Sequence, residues 1–170
     1  MKTKAHLQPE RWFGEIETPH GKFRAAFSRV GLAALDFPGR AKKSVESSDA
    51  APAGLPRWIC ETRDALNALF AGREPKHFPP LDLSEGTEFQ CKVWRALREI
   101  SLGETTGYGE LARAIGHPRA SRAVGAACGA NPIPILVPCH RVIASSGRLG
   151  GYSSGAGWKP RLLAMEGIEI

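Results

Sequence analysis

The chain lacks a long hydrophobic run. The longest, residues 133–137, is interrupted by Pro134 and falls far short of the roughly 20 apolar residues a membrane-spanning helix needs. No apolar stretch follows Lys2 and Lys4 near the start, so that segment does not read as a secretory signal. The expectation is a cytoplasmic protein without a membrane partner. Cysteine is sparse as well: Cys60, Cys91, Cys128 and Cys139 are scattered, without the short paired spacings of a zinc site or a secreted disulfide framework. Reduced thiols and no metal site are expected, and each thiol can be either a nucleophile or a small buried hydrophobe. No internal repeat is visible.

Hydrophobic residues make up 42% of the 170 residues and charged residues 24%, the balance of a soluble globular protein. The length suits one domain, or one with a small appended unit. An excess of 23 basic over 17 acidic side chains, a formal charge of +6, favours a polyanionic partner such as nucleic acid or an anionic membrane surface.

Three short stretches rich in aromatic and aliphatic residues occupy residues 12–37, separated by Thr18-Pro19-His20-Gly21 and Ser28-Arg29-Val30-Gly31. That punctuation predicts a small antiparallel meander. Residues 38–56 mix Gly, Ser, Ala and Pro with charge and predict a long surface loop; a helix follows over residues 56–71, with Gly72 at its end. Leu81 to Leu83 can form one more strand. From Thr87 the signals change. Thr87 and Gln90 stand at capping-box spacing, and Phe89, Val93, Ala96, Leu97 and Ile100 form an apolar helical stripe. The fold class is therefore α/β: a small N-terminal β-sheet plus helix domain, residues 1–86, followed by a mainly α-helical C-terminal domain, residues 87–170.

Within the second domain, Tyr108, Leu111, Ala112 and Ile115 line one helical face. After Gly116-His117-Pro118 a second helix is predicted, with Ala120, Ala123, Val124 and Ala127 inward and Arg119, Arg122, Gly125, Ala126 and Gly129 outward. Two short helices joined by a Gly/Pro turn suggest a helix-turn-helix. Small residues on the outer face permit the close approach a minor groove requires, and the lack of Asn or Gln there argues against base-specific reading. An Ala/Gly-rich helix packed in the interior, with solvated arginines, fits the same residues. A last helix is predicted from Lys159-Pro160 to Gly167.

Pro138-Cys139-His140-Arg141 sets a thiol beside an imidazole and a guanidinium on a segment restricted by Pro134 and Pro138. Neighbouring positive charge or a hydrogen-bonded base raises the thiolate fraction. A third group is needed to orient the histidine, and Glu166, on the apolar final helix beside Leu162 and Leu163, is the candidate.

Read as a whole, the stretch from Asn131-Pro132-Ile133-Pro134 through Pro138-Cys139-His140-Arg141-Val142-Ile143 resembles the active-site signature of the O6-alkylguanine-DNA alkyltransferases. Tyr108-Gly109-Glu110-Leu111-Ala112, Arg119-Ala120-Ser121-Arg122-Ala123-Val124-Gly125, Gly151-Tyr152-Ser153 and Leu162-Leu163-Ala164-Met165-Glu166-Gly167 flank it in the proper order.

The resemblance implies a single-turnover DNA repair reaction. Cys139 accepts the alkyl group from O6-alkylguanine, or O4-alkylthymine, in double-stranded DNA; His140 draws off its proton through a water; Glu166 polarises His140; Asn131 braces the turn. No cofactor is implied. On the DNA side it implies minor-groove binding and base flipping, with Arg122 as the finger that fills the vacated space and Tyr108 pressing on a phosphate and bonding the flipped base. Arg119, Ala120, Ser121, Ala123 and Gly125 complete the DNA-facing set. Pro134, Val142, Tyr152 and Ser153 are the implied pocket, and the protein is expected to be a monomer without DNA. The chain departs from the pattern at Gly107, where a serine is frequent, at Pro160-Arg161 and at Ser154. The alternative is a non-catalytic alkylated-DNA-binding or alkylation-sensing helix-turn-helix protein.

Overall fold

The aromatic- and aliphatic-rich stretches from Trp12 onward fold as a sheet in the computed structural model, which describes residues 10–40, 45–144 and 157–169. Strands β1 (Trp12–Thr18), β2 (Gly21–Phe27) and β3 (Leu32–Asp36) pair antiparallel in the order β1-β2-β3. Trp12 and Ile16 of β1 and Phe23, Ala25 and Phe27 of β2 face the core. The two turns fall where the Thr-Pro-His-Gly and Ser-Arg-Val-Gly segments place them.

Helix α1 (Leu55–Phe70) has Pro56 in its first turn and lays Trp58, Ala65, Leu66 and Leu69 against the sheet. Burying a leucine such as Leu66 or Leu69 contributes about 1.5–3 kcal/mol of transfer free energy. The strand expected at Leu81 to Leu83 reduces to a single parallel bridge, Leu32 with Leu81. Pro79 and Pro80 supply no backbone donors ahead of it. Beyond it the Asp82 carboxylate accepts the Ser84 N–H at 3.0 Å and turns the chain away.

Helix α2 (Glu88–Leu97) begins with the expected capping box, Gln90 N–H to Thr87 Oγ1 at 3.2 Å and Thr87 N–H to Gln90 Oε1 at 2.9 Å. Its buried face also contains Cys91 and Trp94, beyond the expected stripe. Trp94 Nε1 donates to the Ala127 carbonyl at 2.8 Å, joining α2 to α4 (Ser121–Gly129). Helix α3 (Tyr108–Ala114) precedes α4 and packs on it as the helix-turn-helix. The last helix, α5 (Trp158–Met165), packs against the turn at Cys139. One core cluster runs from Ile16 and Phe23 through Leu66, Val93 and Val124 to Val137 and Leu162. Among the described residues no helix is long and apolar enough to cross a membrane.

The inner face of α4 differs from the expectation. Val124, Ala127 and Cys128 are buried, whereas Ala123 is exposed and Ala120 is only the half-buried N-cap. The helix begins at Ser121, and at about 100° per residue Ala123 turns outward beside Arg122 once Val124 faces in.

Candidate active site

The segment after α4 is held by one side chain. Asn131 Nδ2 donates to the Val137 carbonyl at 2.8 Å, and its Oδ1 accepts the Ile133 N–H at 3.0 Å. Inside that brace Ile135 has φ +76°, a left-handed conformation that a β-branched residue rarely adopts and that surrounding structure must enforce. Pro134 is buried in the same turn. The Cys139 N–H then donates to the Val137 carbonyl at 2.8 Å, and Cys139–Arg141 form a 3-10 turn with all three residues buried.

His140 Nε2 lies 2.8 Å from Glu166 Oε1. Arg141 forks onto the same carboxylate, Nε to Oε2 at 2.9 Å and Nη2 to Oε1 at 3.0 Å, while Nη1 donates to the Ile100 carbonyl at 2.6 Å. Burial alone would raise the Glu166 carboxyl, but the hydrogen bonds from His140 and Arg141 outweigh it and bring it down to about 2. Burial pushes His140 below its ordinary value, against the pull of Glu166, so the imidazole is neutral at physiological pH. With an ionised carboxylate at Nε2, that nitrogen carries the proton. Nδ1 is then the basic nitrogen; it is buried, with no hydrogen-bond partner among the described residues.

Lys159, which the sequence reading treated only as a helix start, is 2% exposed and donates from Nζ to the Val142 carbonyl at 2.7 Å. Burial lowers its pKa, while its interaction with the Cys139 and Cys128 sulfurs works the other way. Lys159 is thus a buried cation near the Cys139 thiol, while Arg141 is engaged by Glu166. The other cysteines lie in different surroundings. Cys91 Sγ donates to the Leu83 carbonyl at 3.1 Å, burial and then the neighbouring Cys139 push Cys128 up to about 12, and Cys60 is exposed.

Two short parallel strands, β4 (Thr106–Gly107) and β5 (Val142–Ile143), bring the start of α3 beside the residues after Cys139. Tyr108 is thereby placed near the sulfur: burial first, then Cys128 and Cys139, raise its pKa and keep the phenol protonated. It lines a cleft of about 820 Å³ with Gly107, Arg113, Ser121, Arg122, Gly125 and Ala144. At Gly107, where a serine is frequent in the family pattern, no side chain caps the first turn of α3, and the Glu110 carboxylate reaches back to accept the Gly107 N–H at 2.8 Å. Ser121 and Arg122, which line the cleft, are exposed, as are Arg119 and Ala123 on either side of them in sequence, and Gly125 is half-buried beneath the Tyr108 ring. The Val142 carbonyl accepts from Lys159, and the Cys139 carbonyl accepts the Val142 N–H. Tyr152, Ser153 and Ser154 lie outside the described residues.

The sequence model of a family described as 6-O-methylguanine DNA methyltransferase, DNA binding domain, matches residues 88–168. A methylated-DNA–protein-cysteine methyltransferase of Methanosarcina acetivorans is 46% identical over 162 residues, covering 92% of this chain and 98% of its own. One from Mycolicibacterium paratuberculosis is 53% identical over 111 residues, 65% of this chain and 67% of its own. Among solved structures, Mycobacterium tuberculosis OGT in complex with DNA superposes with a TM-score of 0.73 at 43% identity, covering 91% of each chain. The O6-methylguanine-DNA methyltransferase of Pyrococcus kodakaraensis gives 0.61 at 26% identity, over 92% of this chain and 98% of that one. The identity along almost the whole length places this chain in the methylated-DNA–protein-cysteine methyltransferase family.

Proposed function

We propose that this protein repairs DNA by moving an alkyl group from the O6 atom of guanine onto Cys139, once per molecule. The observation that carries the reading is the buried chain Cys139-His140···Glu166, set next to a helix-turn-helix cleft lined by Tyr108 and Arg122. His140 Nδ1 accepts the thiol proton through a water, Glu166 fixes the tautomer, and the Lys159 charge favours the thiolate. The sulfur attacks the alkyl carbon; the S–C bond forms as the C–O6 bond breaks, and the electron pair leaves with guanine, which takes up a proton. Tyr108, held neutral, is a hydrogen-bond donor to the departing base. The product is a thioether, whose C–S bond water does not cleave under ordinary conditions, so the protein is consumed.

The target atom is out of reach inside a duplex, so the nucleotide is rotated out of the stack. Arg122, exposed at the cleft rim, fills the gap, while Arg119, Ser121, Ala123 and Gly125 let α4 approach the minor groove closely. Pro134 and Val142, with Tyr152 and Ser153, form the pocket. Residues 1–86 support this machinery and residues 87–170 contain it; the transfer needs no cofactor, and the protein acts as a monomer before it meets DNA.

The deciding experiment is intact-protein mass spectrometry after incubation with a duplex containing O6-methylguanine. One added methyl group is expected, mapped to Cys139 and absent in Cys139→Ala. Repeated turnover, or no mass gain in a folded protein, would overturn the assignment.

A further inference from the structure

Trp158 immediately precedes Lys159, and its indole sits among aromatic rings of the N-terminal half: 4.7 Å from Phe37, 5.6 Å from Phe23 and 6.4 Å from Phe70, centroid to centroid. These three phenylalanines come from the segment after β3, from β2 and from the end of α1, so the ring is gripped from three directions. The Arg161 guanidinium lies 4.6 Å over the indole and reaches His20 Nδ1 at 3.5 Å. At the far end of α5, a Cβ on Gly72 would come within 2.6 Å of the Met165 carbonyl oxygen, so α1 ends directly against that helix. α5 is therefore located at both ends by parts of the chain that take no part in the chemistry. Between those ends it carries Lys159 and, just beyond, Glu166.

We propose that Trp158 is a positioning residue for alkyl transfer, whose seat among Phe23, Phe37 and Phe70 fixes the first turn of α5 and so aims the Lys159 ammonium at the Val142 carbonyl and the Cys139 sulfur. The link is short. Trp158 and Lys159 are adjacent, the preceding Gly157 is in the left-handed region at φ +94°, and a shift of the indole moves the lysine backbone with it. Other ionisable groups near Cys139 do not replace the lysine. Tyr108 from α3 and Cys128 from α4 are both held neutral, and Glu166, just beyond α5, is already engaged by His140 and Arg141 of the 3-10 turn. The Lys159 charge is the one whose distance from the sulfur the aromatic seat controls.

This inference rests on Cys139 being the acceptor, which the wild-type mass measurement tests first; a methyl group on another residue would defeat that reading. The inference itself is tested by the pH dependence of Cys139 alkylation with iodoacetamide, mapped by peptide mass spectrometry, together with methyl transfer from an O6-methylguanine duplex. In Trp158→Ala the midpoint of the alkylation profile should move to higher pH, toward that of Lys159→Met, with transfer at neutral pH slowed about tenfold or more. Trp158→Phe, which keeps an aromatic ring in the seat, should restore both to near wild type. Because Trp158→Ala removes a large, half-buried side chain packed against the core, Phe37→Leu serves as the milder probe, with a smaller shift in the same direction. A folded Trp158→Ala or Phe37→Leu with an unmoved midpoint would overturn the proposal, even if its rate fell uniformly at all pH values.

Discussion

Arg141 grips the Glu166 carboxylate with two hydrogen bonds, at 2.9 and 3.0 Å, on the same group that His140 contacts at 2.8 Å. The carboxylate thus has two tasks, orienting the imidazole and neutralising a buried guanidinium. Glu166→Gln keeps the shape but leaves Arg141 without a counter-charge, and breaking a buried pair from one side costs about 3–5 kcal/mol. A large fall in Tm is expected together with slower methyl transfer. Arg141→Lys should also destabilise, since an ammonium cannot reproduce the fork. A Glu166→Gln protein with wild-type Tm would contradict this account.

Acid should remove the same interaction. The folded-state pKa of Glu166 is about 2 against an ordinary 4.5, so the unfolded chain takes up its proton first as pH falls. The stabilisation is complete above pH 4.5, declines below it and is gone below about 2, a loss on the order of 3 kcal/mol. His140, depressed below 6.5 by burial, works in the same direction and begins to cost stability as pH drops through 6.5. Urea unfolding at a series of pH values should show this decline, flattened below pH 4.5 in Glu166→Gln.

The sheet and the capped helices follow from local chemistry. The aromatic and aliphatic stretches of β1 and β2, the Thr87/Gln90 box and the turn formers act within a few residues, and the structure uses them as the sequence suggests. What escapes such reading is set by distant contacts. Lys159 looks like a solvated charge at a helix start, yet it shares a face with Leu162, Leu163 and Glu166 at spacings of three, four and seven. That register was the available signal. Arg141 is two residues from the thiol in sequence, a placement that suggests it tunes Cys139; only the fold shows it turned toward Glu166 and the Ile100 carbonyl. No local rule predicts φ +76° at an isoleucine, because Asn131 and the surrounding core impose it.

That imposed conformation yields a third prediction. Asn131→Ala removes the donor to Val137 and the acceptor for Ile133, two bonds at about 0.5–1.5 kcal/mol each. With the brace gone, Ile135 is free to relax toward an ordinary conformation, and the Val137 carbonyl that accepts the Cys139 N–H shifts with it. Methyl transfer should slow by more than the modest loss of stability explains. A stopped-time assay run well below the variant's Tm separates the two effects, and an unchanged rate would remove Asn131 from the acceptor's support.

Arg122 tests the DNA side. It is exposed at the rim of the cleft, two residues into α4, where it has no core to stabilise. Arg122→Ala should therefore leave Tm within about 0.5 kcal/mol of wild type in free-energy terms. In the proposed finger role, its cost appears only where a duplex must be opened. Repair of O6-methylguanine in duplex DNA should fall steeply, while reaction with a free O6-alkylguanine base, which needs no flipping, should stay close to wild type. The contrast matters more than either rate. Equal losses would mean that Arg122 acts on the pocket, and equal retention would mean that another residue fills the gap. Arg119→Ala, at the preceding turn, is expected to behave differently. A phosphate contact there lowers DNA affinity and reduces its salt dependence, because fewer counterions are released on binding. Binding isotherms at several salt concentrations therefore separate the two arginines: a reduced slope for Arg119→Ala, and for Arg122→Ala a binding loss too small to account for its loss of duplex repair.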